Sequence, residues 1–114
     1  MAGAAAARPV KKRRKAVTHV IPADVTQFAR RKGIYRSLLK ATEIVRQTTP
    51  ALRGIRVEVS RDPEVVGWTT LCFHIRTRAG VEAVLAGEDA LCAAMYERIG
   101  ARDRCLLAFL YEFE

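Results

Sequence analysis

Gly54-Ile55-Arg56-Val57-Glu58-Val59-Ser60-Arg61-Asp62-Pro63-Glu64-Val65-Val66-Gly67-Trp68-Thr69-Thr70-Leu71-Cys72-Phe73-His74-Ile75 is the stretch that decides the fold. Ile55, Val57 and Val59 alternate with Arg56, Glu58 and Ser60. A period of two marks a strand with one buried face. Arg61–Gly67 carries turn residues near both of its ends. Over Trp68–Thr77 the alternation resumes, with Leu71, Phe73 and Ile75 facing one way and Trp68, Cys72 and His74 the other. So short a connector joins antiparallel neighbours, because parallel pairing needs a crossover of about a dozen residues or more.

Helices flank this hairpin. Upstream, Ile21-Pro22 suits a helix start, where the missing proline N–H is no loss. Val25, Phe28 and Ala29 then form an apolar stripe. Arg30, Arg31 and Lys32 fall in the last turn, where cations complement the helix dipole, and Gly33 ends the helix. A second helix is predicted from Ile34 to Thr48, with Ile34, Leu38, Ala41 and Val45 on one face and Pro50 as its stop. Downstream, Gly80 opens a third helix to about Ile99. Gly87 inside it costs about 1 kcal/mol relative to Ala and marks a place for a kink or break. The final strand, Arg104–Phe113, is apolar on both parities until Glu112, the pattern of a central or doubly covered strand.

The predicted fold class is therefore α+β with element order α-α-β-β-α-β. The expected sheet is small, three-stranded and mainly antiparallel, packed against helices. Its last strand is expected either parallel to the second, through the helical crossover, or beside the first, as in half of a split βαβ arrangement. Residues 1–20 are expected to be a disordered basic tail and residues 21–114 a single domain. A sheet so thinly covered leaves an open face. Trp68, Cys72, Leu106 and Leu110 are the expected partner interface there, which makes a protein partner or a homodimer the first expectation.

Charge divides the chain. Of 114 residues with net charge +8, the first 53 hold 13 Lys/Arg and 2 Asp/Glu, and the rest hold 7 and 10. The run Lys11-Lys12-Arg13-Arg14-Lys15 is a self-repelling arm suited to neutralising phosphates. Arg30, Arg31, Lys32, Arg36 and Lys40 form a second basic set, with Arg36 and Lys40 on one helix face. Nucleic-acid binding through these ten residues is the alternative expectation. No membrane span is present, because the longest apolar run, Cys105–Tyr111, falls far short of the roughly 20 residues a bilayer needs. The alanines precede the basic cluster, the reverse of a secretory signal, so a cytoplasmic location is expected.

Chemistry-bearing residues are sparse. Cys72, Cys92 and Cys105 are widely spaced, with no CxxC pair, and read as reduced apolar side chains. Cys72 and His74 share a strand face and could pair as nucleophile and base, but two ligands do not close a zinc site. Asp62 and Glu64 lie in the hairpin connector, where Asp-Pro is turn chemistry. Glu88 and Asp89 form the other acidic pair. No HExxH, GxSxG, Walker-type loop or GxGxxG occurs. No catalytic residue, metal or cofactor is expected, and the pattern argues against a conventional enzyme.

The segment Gly54–Glu64 followed by Gly67-Trp68 resembles a family of small prokaryotic proteins. Their order is a Gly-ended helix, a Pro-closed helix, a strand, an Asp-Pro-Glu hairpin into a Trp-containing strand, a helix and a final strand. The resemblance spans Ile21–Glu114. It implies an α+β fold and a role as partner in regulatory or toxin–antitoxin-like pairs. The long basic arm, Arg61 in place of an acid, and Gly87 depart from the family pattern.

Overall fold

The computed structural model describes residues 17–62, 64 and 67–114. Its elements are β1 (Thr18–Val20), α1 (Ala23–Lys32), α2 (Tyr35–Thr48), β2 (Leu52–Arg61), β3 (Thr69–Thr77), α3 (Val81–Arg98), α4 (Ala101–Arg104) and β4 (Leu107–Phe113). They form one four-stranded sheet in the order β1-β2-β3-β4. β1 runs parallel to β2, β2 antiparallel to β3, and β3 parallel to β4. Two parallel crossover units are thus joined by the central hairpin.

This corrects the expected fold in two ways. The sheet has four strands and is mixed, where three mainly antiparallel strands were expected. β1 adds a strand inside the stretch assigned to the tail; Thr18–Val20 is too short to show a period and abuts the charge run. Of the two placements open to the last strand, β4 takes the one parallel to β3, at an edge, and not the one beside the first strand of the hairpin. The direct α3 crossover from β3 delivers it there. Residues 1–16, which include Lys11–Lys15, lie outside the described residues.

One face of the sheet is covered. Ile55, Val57, Leu71, Phe73 and Ile75 are fully or almost fully buried under Val25, Phe28, Leu38, Ala41, Val45 and Leu91. Fully burying such a side chain contributes about 1.5–3 kcal/mol, so this single parity carries most of the sheet's stability. Phe73 stacks on Phe109 at 5.0 Å between centroids, which ties β4 to the same core. Gly33 closes α1 at φ 73°, a left-handed conformation that glycine adopts without steric cost, and its N–H bonds the carbonyl of Arg30. Ser37 Oγ donates to Asp103 at 2.5 Å, fastening α4 to α2.

α3 is one continuous helix through Gly87. A Cβ at position 87 would stand 2.9 Å from the carbonyl oxygen of Thr48, so the glycine is a close-packing site, not a break. Gly87→Ala sets two effects against each other. Helix propensity favours alanine by about 1 kcal/mol, whereas overpacking costs about 1–3 kcal/mol. The obstructing atom is backbone and cannot rotate away, so the variant is expected to lose about 1 kcal/mol net. A lowered urea midpoint checks this; a raised midpoint would show that the α2–α3 contact relaxes freely.

Candidate functional site

The uncovered face of the sheet is polar. Arg56 and Glu58 of β2, Cys72, His74 and Arg76 of β3, and Leu110 and Glu112 of β4 share it by register. His74 sits between two carboxylates. Its Nε2 lies 2.9 Å from Glu58 Oε2 and its Nδ1 lies 3.0 Å from Glu112 Oε2. An imidazolium donates to both at once, whereas a neutral ring donates to one. Arg56 adds contacts to Glu58 at 3.3 Å and Glu112 at 3.8 Å, and Arg76 meets Glu114 at 2.9 Å. The carboxylates of this face therefore have hydrogen-bond or ion-pair partners within the chain.

Such packing shapes the Cys72–His74 pair. Burial, helped by the Glu58 and Glu112 carboxylates, pushes the Cys72 thiol above its ordinary value of 9.0. A raised pKa leaves little thiolate at neutral pH, and both His74 nitrogens face carboxylates. The arrangement favours a structural network over a nucleophile–base pair. Asp62 Oδ1 accepts the Glu64 N–H at 2.8 Å, which is turn chemistry. Among the described residues no cluster of three or more His, Cys, Asp or Glu is placed to hold a metal ion.

Of the second basic set, the fold gathers only part. Arg31 and Lys32 border a cleft of about 490 Å³ between α1 and the β2–β3 hairpin, where Arg61, Trp68 and Leu106 also stand. Arg30 stacks over Tyr35 at 4.2 Å, Lys40 Nζ donates to the Arg98 carbonyl at 3.3 Å, and Arg36 is exposed. Sequence reasoning missed Arg61 as a member of this group, because only the hairpin brings it to α1. Trp68 is 44% exposed. The four expected interface residues therefore part company. Trp68 and Leu106 line the cleft, while Cys72 and Leu110 sit on the open face.

A third region went unrecognised. β4 is an edge strand, and its direction of pairing can be worked out. Leu71 N–H bonds the Leu106 carbonyl, and Glu114 N–H bonds the Thr77 carbonyl. Pairing alternates along a strand, so even-numbered β4 residues bond β3. Leu107, Phe109, Tyr111 and Phe113 turn their main-chain groups to the free edge. Beside that edge, Leu91, Cys92, Met95, Tyr96, Leu107 and Phe109 line a mostly apolar cavity of about 260 Å³, with Arg104 stacked over Tyr96 on its wall. Val81, Leu85 and Tyr96 of α3 are exposed, Tyr96 to 75%. Their spacing of four and eleven, with Cys92 between the last two, puts them on one helix face. The apolar double parity of β4 was the signal that could have found this region.

Comparison with family models, with curated proteins and with solved structures returns no match for this chain. Among the described residues no helix is long and apolar enough to cross a membrane.

The His74 network makes a pH prediction. The hydrogen bond from His74, with Arg56 nearby, holds the Glu58 carboxyl below its ordinary value of 4.5, against the opposing effect of burial. A depressed folded-state pKa contributes stability that is present above 4.5 and is lost as pH falls through the lowered value. Glu58→Gln removes that titration. Urea midpoints measured above and below pH 4.5 should fall less steeply with acid in the variant than in the parent; identical slopes would contradict the assignment.

Proposed function

We propose that this chain is a protein-interaction module, working by recognition rather than catalysis, and that its partner is a second copy of itself joined along β4. One observation carries the reading: among the described residues β4 is a seven-residue edge strand without Pro, Lys or bulge. Natural edges are protected by Pro, Lys, bulges or extreme shortness. β1, the other edge, is three residues long. β4, Leu-Ala-Phe-Leu-Tyr-Glu-Phe, has one charged residue and regular register throughout.

A copy lying antiparallel matches the β4 edge to itself, as a two-fold interface requires. The odd-numbered residues supply the joining hydrogen bonds, so odd residues oppose odd ones and Leu110 meets Leu110 or Ala108 of the second copy. The exposed α3 face and the apolar cavity continue the same surface. Burying them together with the edge removes apolar exposure from Val81, Leu85 and Tyr96.

The experiment is sedimentation velocity over a range of concentrations. A dimer is expected for the parent. Leu110 is 50% exposed, so Leu110→Glu preserves folding but places like charges close across the symmetry axis. The dissociation constant should rise at least about tenfold. Leu39→Glu, an equal change on exposed α2 surface, should leave it unaltered. A monomer at every concentration, or equal loss in both variants, would contradict the reading.

A further inference from the structure

We infer that the cleft between α1 and the β2–β3 hairpin binds single-stranded nucleic acid, with a base stacked on Trp68 and backbone phosphates on Arg31, Lys32 and Arg61. The cleft's volume of about 490 Å³ falls within the range of ligand sites, about 300–1,000 Å³. Its chemistry is unlike that of the open face. All twelve carboxylates of the chain lie among the described residues, and none is ion-paired with Arg31, Lys32 or Arg61. On the open face, by contrast, Arg56 and Arg76 are both paired. Three cations without an ion-pair partner, against the single carboxylate of Asp24, therefore border one concavity, where they raise the local concentration of anions.

The aromatic surface selects among anions. Trp68 presents an exposed indole on the cleft wall. A groove that combines cations with a stacking platform is how proteins hold single strands without reading their sequence. Asp24 shares the wall, with Oδ1 accepting the Val25 N–H at 2.9 Å, and still leaves the cations in excess. Gln27 offers one donor and one acceptor group to a base edge. A stacked duplex has no free base face to offer Trp68, so an unpaired strand fits and a double helix does not.

Trp68 is the chain's one tryptophan, so its fluorescence reports this cleft alone. The full chain is titrated with a short oligothymidylate, the corresponding duplex, a mononucleotide and a phosphopeptide, at several salt concentrations. The single strand should quench Trp68 saturably and bind more tightly than the other three. Three phosphate contacts predict a slope of about −2 in log affinity against log salt, and Arg61→Ala or Lys32→Ala should flatten it. By anisotropy of labelled strand, Trp68→Ala should bind about fivefold or more weakly, with Trp68→Phe largely retaining affinity. Binding without quenching, and insensitive to Arg61→Ala, would place the strand on the N-terminal basic run and overturn the proposal. So would equal or tighter binding of the duplex, the mononucleotide or the phosphopeptide, or no quenching at all.

Discussion

Burial on one side of the sheet is the constraint from which everything else follows. Ile55, Val57, Leu71, Phe73 and Ile75 meet the helices through a single parity. A slip of one residue would turn all of them to water, so the β2–β3 register is pinned by the hydrophobic effect. That register puts Glu58, His74 and Glu112 together on the other face. It also aligns Arg61 with Thr69, and so brings Trp68 back towards α1. The parallel return through α3 then leaves β4 outermost.

The three surfaces differ in how their demands are met. The open face holds its carboxylates with its own donors: His74 and Arg56 contact Glu58 and Glu112. Exposed pairs of this kind contribute little each, about 0–1 kcal/mol. The cleft has the opposite character, with Arg31, Lys32 and Arg61 in excess over the one carboxylate on its wall, Asp24. The β4 edge has neither property. Its deficit is in main-chain hydrogen bonds and apolar cover, which a strand of matching geometry supplies.

Local signals in the sequence were legible where local physics governs. The alternation at Ile55–Ser60 and Leu71–Ile75, the Gly33 stop and the Pro50 break all match the elements observed. β1 was not legible, because three residues cannot display a period and their pairing to Gly54–Arg56 is decided by distant contacts. Strand order was legible only as a choice, parallel to β3 or beside β2, and local pattern does not decide between them. The apolar double parity of β4 suits a central strand within one chain, and it suits equally an edge that becomes central in an assembly. Gly87 was misread as a break because the Thr48 carbonyl that needs the space is 39 positions away in sequence. Arg31 and Lys32 were marked as basic from sequence, but their grouping with Arg61 and Trp68 depends on the hairpin and has no spacing of its own.

Amide hydrogen exchange along β4 tests the central claim most directly. The N–H groups of Leu107, Phe109, Tyr111 and Phe113 point to the free edge, while those of Ala108, Leu110 and Glu112 bond β3. If the edge is completed by a second copy, the odd-numbered amides are protected in concentrated solution and exchange quickly on dilution, with the even-numbered ones slow in both. Fast exchange of the odd amides at every concentration would mean that nothing covers the edge, and the account of this protein as a strand-pairing module would fail.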